Sequence, residues 1–481
     1  MSSESKHESH DYRIKDGGPW ANAWKIAAAL GVLGLLGAGA GFAQDHKRFA
    51  FSYLFAYAVF LTVSLGSLFF VFVQHLTSAG WSVTVRRTAE FFMSALPVFA
   101  LLFLPIAAGI DELYPWTQDH SAGHAIHASA HTAGEGSHGE AGHGEAGHGE
   151  AGHGEAGHGA AQAEHGHAAG PGGHVASVEE IEHALHGEVM HKKSAYLNKT
   201  FFFIRAVGYF LIWFFLSQKF FKNSVDQDGT KDLEFTRKNQ RLAPGAAGLF
   251  ALSLTFAVFD WYMALLPQWY STIFGVQMFS ASVVAALSML TLVTLSLRNT
   301  GLTGKAINTE HFHDLGKLLF GFTCFWAYIS FSQFFLIWYA SIPEETLFFH
   351  MRWSDGPWKG VSLAIVALHF VVPFFMLISR NVKRFFDQKI LQLGAVLLFC
   401  IHIVEMYWLV MPNYAVATHP GLAVEEVARM PEALSFHWLD VACLLGVGGV
   451  YLAVVFHRMA KHNLIPVGDP RLDRALHLNN G

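Results

Sequence analysis

The stretch FAFSYLFAYAVFLTVSLGSLFFVFVQHL, residues 49–76, runs for 28 residues without Lys, Arg, Asp or Glu. An α-helix rises about 1.5 Å per residue, so about 20 apolar residues cross the hydrocarbon core of a bilayer. A segment surrounded by lipid must satisfy its own backbone hydrogen bonds, and a helix does so internally. Residues 49–76 therefore predict a membrane-spanning helix.

Nine further apolar blocks occur along the chain of 481 residues, of which 52% are hydrophobic and 14% are charged. A soluble protein carries nearer a quarter charged residues. We therefore predict an all-α, polytopic membrane protein with about ten transmembrane helices. The predicted spans are residues 24–43, 49–76, 87–110, 199–221, 242–266, 271–297, 313–340, 356–380, 388–411 and 433–458.

Lys and Arg residues are distributed unevenly between the two sides of these spans. With the N-terminus in the cytoplasm, 23 of the 32 lie on the cytoplasmic side, eight lie outside and Arg205 lies within a span. We predict a protein of the bacterial inner membrane, and this bias predicts that both of its termini lie in the cytoplasm. The predicted organisation is a cytoplasmic tail (1–23), three spans (24–110), a periplasmic loop (111–198), seven spans (199–458) and a cytoplasmic tail (459–481).

The predicted periplasmic loop has a composition of its own. The pentapeptide HGEAG occurs four times in succession from residue 138, and 15 of the 29 histidines lie between residues 120 and 191. Gly, Ala, Glu and His bury too little apolar surface to offset chain entropy, so we expect a disordered, solvated loop. The alternatives are binding of Zn²⁺, Ni²⁺ or Cu²⁺ and proton buffering. Residues 175–190 predict a short amphipathic helix.

Ionisable residues inside the spans are functional candidates because a charge at the bilayer centre is expensive. His402 and Glu405 are three residues apart and share a helix face, and His437 and Asp440 repeat this spacing. The set forms a candidate pair of proton half-channels, with interhelical hydrogen bonding as the alternative role. The candidates are Asp260, His402, Glu405, His437 and Asp440 toward the outer face, His369 near the middle, and His75, Glu90 and Asp314 toward the inner face.

The sequence offers few ligands for a redox cofactor. Cys324, Cys400 and Cys443 lie singly in apolar blocks, without the CxxC or CxxCH spacing of iron–sulfur or c-type haem sites. His369 and His402 lie deep in neighbouring spans, which leaves one haem as the alternative. We predict no cofactor, no metal site and no catalytic residue in this chain.

Four stretches carry a resemblance to a known family. They are GSLFFVFVQHLTSAGWSVTVRRTAE (66–90), FDWYMALLPQWYSTIFGVQMFSAS (259–282), HDLGKLLFGFTCFWAYISFSQFFLIWYASIPEET (313–346) and VEMYWLVMP (404–412). Together they resemble the second NrfD-like integral membrane subunit of alternative complex III, the ActF family. The likeness covers nearly the whole chain except the histidine-rich loop and the extreme termini.

The resemblance implies a subunit of a respiratory quinol:cytochrome c (electron-acceptor) oxidoreductase. Its implied fold is two four-helix bundles plus two additional helices, shared with polysulfide-reductase membrane subunits. Its implied partners are an NrfD-like sister subunit, an iron–sulfur subunit, c-type cytochrome subunits and membrane lipid, with menaquinol and a terminal oxidase as further candidates. Nucleic acid is not expected as a partner.

Three functions remain open at this point. In the related complex the sister subunit is usually assigned the quinol site, and its Gly/Asn/Pro/Gly/Trp-type stretch is not matched by DHKRFAFSYLF (45–55). The resemblance therefore implies a cofactor-free subunit with scaffold and proton-conducting roles. A quinol site within this chain is the first alternative. A secondary, metal-carrying transporter is the second, although Pro97, Pro105 and Pro373 form no matching pair of broken helices.

Overall fold

The structure is a computed structural model that describes residues 12–18, 20–117, 192–381, 388–419 and 422–479. Within these ranges all regular secondary structure is helical. Ten of the helices in the described ranges are long and apolar enough to cross a membrane. The chain is therefore an all-α, multi-pass membrane protein, as its hydropathy predicts.

The ten spans are numbered in chain order. They are α1 (Ala23–Gln44), α2 (His46–Leu76), α3 (Val83–Ala108), α4 (Lys199–Thr230), α5 (Leu233–Leu265), α6 (Phe274–Asn299), α7 (Thr309–Ala340), α8 (Pro357–Ile378), α9 (Lys389–Thr418) and α10 (Trp438–Lys461). Shorter helices cover Ile110–Leu113, Pro115–Thr117, Pro343–Trp353, Val424–Arg429, Pro431–Ala433 and Leu472–Leu476.

Two helices are longer than their apolar blocks. The hydropathy predicts spans at 199–221 and 242–266, whereas α4 continues to Thr230 and α5 already begins at Leu233. Between them Lys231 takes the left-handed conformation, with φ of 57°, and ends α4. The Asp232 carboxylate accepts a hydrogen bond from the Glu234 N–H at 2.9 Å and caps α5. Hydropathy thus locates the apolar part of a helix and misses its polar turns.

The helices pack as two bundles of four. In the first bundle α2, α3, α4 and α5 form a closed ring, and in the second bundle α6, α7, α8 and α9 do the same. Contacts of α2 with α6 and α9, and of α5 with α6, join the two bundles. The remaining helices, α1 and α10, pack on each other and against α2. This is the arrangement that the family resemblance implies.

Small residues allow the closest helix contacts. A Cβ atom at Gly34 of α1 would lie 2.2 Å from the backbone nitrogen of Gly446 in α10. A Cβ atom at Gly66 of α2 would likewise lie 2.1 Å from the carbonyl oxygen of Ser282 in α6. Close backbone approach of this kind is how membrane helices gain packing energy without a hydrophobic driving force. The α1–α10 pair and the joint between the bundles therefore both depend on glycine.

Helix α8 opens into a π-helical turn over Val366–Val371, and His369 lies within it. Pro373 has no N–H to donate to the carbonyl of His369 four residues earlier, so the regular α-helical ladder is interrupted there. Single π-helical turns of this kind frequently occur at functional sites. The interruption therefore directs attention to the His369 side chain.

Residues 12–18 and 462–479 lie on one face of the helical unit, where the Leu464 N–H donates to the Tyr12 carbonyl at 3.0 Å. We call this the terminal face, and the other the opposite face. The chain divides into two compact units, each with most of its contacts inside itself. The helical unit comprises Met1–Gln118 and Ala195–Gly481, and the second unit is Asp119–Ser194, of which the structure describes residues 192–194. The predicted histidine-rich loop and the predicted helix at 175–190 lie outside the described residues, apart from the two ends of the loop.

Candidate functional site

Five polar side chains meet deep in the membrane-spanning part of the protein, and we call them the Glu405 cluster. Glu405 and His402 come from α9, His369 from α8, Trp326 from α7 and Thr62 from α2. All five are buried, with at most 4% of any residue exposed. Residues from both bundles therefore contribute to a single polar site in an apolar interior.

The two oxygens of Glu405 face different groups. Oε1 accepts a hydrogen bond from the Trp326 indole at 2.7 Å. Oε2 lies 3.5 Å from Nδ1 of His369 and 3.6 Å from Nδ1 of His402. The indole also stacks on the His369 ring, with 3.8 Å between the centroids. Two imidazoles thus converge on one carboxylate oxygen.

The hydrogen bonds around His402 favour one tautomer of its imidazole. Its Nε2 is 2.9 Å from the Thr62 hydroxyl, which has the carbonyls of Ala58 and Val59 at 2.8 Å as acceptors. A hydroxyl carries one hydrogen, so with that hydrogen on a carbonyl the Nε2–H donates to Thr62. A neutral imidazole then turns the Nδ1 lone pair toward Glu405 Oε2. His402 Nδ1 and Glu405 Oε2 would then both be hydrogen-bond acceptors. A proton on either of them removes the repulsion between their lone pairs.

The charge of the Glu405 cluster is not fixed by a permanent cation. Among the described residues, the ion-pair partners of Glu405 are the two histidines, and no Lys or Arg lies within ion-pair distance of it. Imidazole is the side chain that ordinarily gains and loses a proton near neutral pH. Within the described part of the chain, Glu405 therefore lacks the permanent positive charge that a lysine or an arginine would place beside it.

On the opposite-face side of the cluster, α9 contains a proline that frees a backbone carbonyl. Pro412 has no N–H for the Trp408 carbonyl four residues earlier. Arg352 replaces that donor, because its Nε donates to the Trp408 carbonyl at 3.1 Å and its Nη2 to the Leu409 carbonyl at 2.9 Å. Burial lowers the pKa of Arg352 to about 9, which leaves it charged at neutral pH. Arg352 is one of the eight Lys and Arg residues that the sequence predicts on the outer side, yet it is only 1% exposed.

Asp260, a candidate of the first bundle, forms a bidentate ion pair. Arg205 of α4 donates from Nε to Oδ2 at 2.8 Å and from Nη2 to Oδ1 at 2.9 Å. The Tyr209 hydroxyl donates to Oδ2 at 2.7 Å. Paired in this way, Asp260 joins α4 to α5 at their opposite-face ends.

Asp440 and His437 do not form the imidazole–carboxylate pair that their spacing suggests. Asp440 instead pairs with Arg48 of α2, at 2.5 Å, and accepts from the Ser52 hydroxyl at 2.6 Å. The backbone N–H of His437 donates to the same carboxylate, and the His437 imidazole accepts from the Leu439 N–H. These contacts form a capping box at the start of α10.

Glu90 lies in a buried charge network near the terminal face. Its two oxygens pair with Arg86 at 2.8 Å and with Arg87 at 3.0 Å. Arg86 also binds Asp469 of the C-terminal segment at 2.8 Å. Burial opposes ionisation of Asp469, but Arg86 and Arg471 outweigh it and hold its pKa below the usual value. The C-terminal segment is therefore anchored into the first bundle.

The two remaining candidates lie apart from each other. His75 stacks on Phe220 in the first bundle, with its Nε2 3.5 Å from the Asn239 amide. Asp314, near the start of α7, pairs with Lys317 at 2.6 Å. Of the nine predicted candidates, the structure brings together His369, His402 and Glu405. Sequence reasoning missed Trp326 and Thr62 as members, and the sequence contains no signal that singles them out.

Within the described ranges, no three His, Cys, Asp or Glu side chains are placed to hold a metal ion. No protein-family model matches the chain, and no curated protein is significantly similar to it. The function is therefore inferred from the Glu405 cluster and from the resemblance of the four stretches of sequence.

Proposed function

We propose that this chain is a cofactor-free membrane subunit of a bacterial respiratory quinol-oxidising complex, of the alternative complex III type, in which it conducts protons. The four stretches at 66–90, 259–282, 313–346 and 404–412 support the family assignment. The packing of two four-helix bundles with two additional helices is also consistent with it.

The observation that carries the proton-conducting role is the facing pair of acceptors, His402 Nδ1 and Glu405 Oε2. A proton on Oε2 can pass to Nδ1 of His402 or of His369 without any side chain crossing the bundle. Each transfer changes which groups are charged and leaves the net charge of the cluster unchanged. Among the described residues, no arginine lies beside Glu405 to hold it in the ionised form. His369, which lies in the π-helical turn of α8, is the third group of this exchange, after Glu405 and His402.

The orientation follows from the distribution of positive charge. The terminal face is on the side to which the sequence assigns 23 of the 32 Lys and Arg residues, and we assign it to the cytoplasm of a bacterial inner membrane. The opposite face is then periplasmic, where cytochrome c and iron–sulfur subunits of such a complex would dock. The NrfD-like sister subunit would oxidise menaquinol, and a terminal oxidase would receive the electrons.

Membership in the complex is tested by purification. A tag at the C-terminus of this chain should co-purify haem-staining c-type cytochromes and an iron–sulfur protein from native membranes solubilised in mild detergent. The same membranes without the tag provide the control. Purification of the chain alone, under conditions that keep other respiratory complexes intact, would contradict the assignment.

Proton conduction is tested by Glu405→Gln in the purified complex reconstituted into vesicles. With a short-chain menaquinol analogue as donor and oxidised cytochrome c as acceptor, electron transfer should persist while proton release per electron falls. Glu432→Gln, the same chemical change at an exposed position, is the matched control. Loss of quinol oxidation itself in Glu405→Gln would instead place a quinol site in this chain.

A further inference from the structure

Helix α7 carries two more polar side chains on the face that meets the Glu405 cluster. Ser330 and Gln333 follow Trp326 by four and seven residues, a spacing that keeps all three on one side of a helix. Gln333 is only 1% exposed. Within the described part of the chain, neither atom of its amide nor the Ser330 hydroxyl has a protein hydrogen-bond partner.

The position of these side chains is set by helix geometry. Trp326 contacts Glu405 directly, so it marks the depth of the cluster. At about 1.5 Å per residue, Ser330 lies about 6 Å and Gln333 about 10 Å further along the helix axis. Because α7 ends at Ala340 on the opposite face, the two residues lie between the cluster and that face.

The other half of α7 differs. Thr323 lies about one turn from Trp326 toward the terminal face, and its hydroxyl donates to the Leu319 carbonyl of its own helix at 2.8 Å. Buried Leu319 and Leu315 continue that side of the helix. Over the two turns of α7 that follow Trp326 toward the terminal face, this side of the helix therefore carries a self-satisfied hydroxyl and a leucine, whereas the two turns toward the opposite face carry Ser330 and Gln333.

A buried amide without a protein partner needs another partner, because leaving it unsatisfied is unfavourable. Water is the ligand that fits, since it can both donate to and accept from an amide and a hydroxyl. We infer that Ser330 and Gln333 bind internal water and connect Glu405 to the opposite face. The inference rests on the proposed function and specifies the side of the cluster by which protons enter or leave.

The test uses Gln333→Leu, which keeps the size of the side chain and removes its amide. In reconstituted vesicles of the complex, this variant should lose proton release per electron, as Glu405→Gln does, while electron transfer persists. Thr323→Val is the matched control, because it removes a buried hydroxyl from the same face of α7. That hydroxyl already has a partner in the backbone of its own helix. The control variant should keep the wild-type ratio.

The outcomes separate the two proposals. If Glu405→Gln lowers the ratio and Gln333→Leu does not, the water route is wrong and the proposed function stands. If neither variant changes the ratio, both are wrong. A cryo-EM map of the wild-type complex that shows ordered waters provides a second measurement that needs no variant. Water within hydrogen-bond distance of the Gln333 amide supports the route, and a dry amide overturns it.

Discussion

The two bundles treat buried carboxylates differently. In the first bundle, Asp260 faces Arg205 and Glu90 faces Arg86 and Arg87, each at hydrogen-bond distance. In the second bundle, Glu405 faces two imidazoles and an indole. A guanidinium stays charged at any physiological pH, whereas an imidazole does not. Buried acids of the first kind hold helices together, and we propose that the acid of the second kind exchanges protons.

Breaking an ion pair of the first bundle should have a large effect on stability. Asp260→Asn leaves the Arg205 guanidinium without its charged partner and with only the Tyr196 carbonyl as an acceptor outside the pair, which should lower the free energy of unfolding by about 3 kcal/mol. Unfolding in mixed micelles, followed by circular dichroism, measures the change. The double variant Arg205→Met with Asp260→Leu removes both charges and should recover most of the loss. Wild-type stability of Asp260→Asn would show that the pair is dispensable.

A substitution of Arg352 tests whether this cation stabilises α9 by donating hydrogen bonds to its backbone carbonyls. Arg352→Met removes charged donors from the carbonyls of Trp408 and Leu409 and should cost about 2–3 kcal/mol. Pro412→Ala restores an N–H to α9, so the same change should cost less in that background. The same unfolding assay gives both values in a double-mutant cycle. An equal loss of unfolding free energy in the two backgrounds would show that Arg352 does not compensate for the N–H that Pro412 lacks.

Glu405→Gln is the counterpart of Asp260→Asn in the second bundle. The amide oxygen can still accept the Trp326 indole N–H, and no permanent cation loses its partner. The unfolding free energy should therefore change by less than about 1 kcal/mol. A loss as large as that of Asp260→Asn would indicate that the histidines are charged, and the contrast between the bundles would disappear.

His437→Asn examines the cap of α10. Asparagine is among the best N-cap residues, so the variant should unfold within about 0.5 kcal/mol of wild type. It should also keep the wild-type proton release per electron in vesicles, because the His437 imidazole accepts from a backbone N–H and lies apart from the Glu405 cluster. A loss of proton release would return His437 to the proton path.

The sequence predicts the ten spans well because hydropathy is a local property of each helix. It also predicts that His402 and Glu405 share a face, since three residues make nearly one turn. It does not predict the partner of Asp440, because Arg48 is 392 residues away. The same spacing in His437 and Asp440 gives a cap, since that pair starts a helix whereas His402 and Glu405 lie within one. Long-range packing decides such cases.

The central claim is that Glu405 changes its protonation state when the complex turns over. Redox-induced infrared difference spectroscopy of the purified complex measures this through the carboxylic C=O band, which shifts in D₂O. The band should be present in the wild type and in Glu432→Gln, and it should be missing in Glu405→Gln. An unchanged band in Glu405→Gln would mean that this carboxylate keeps its proton state throughout, and the proton-conducting role would be wrong.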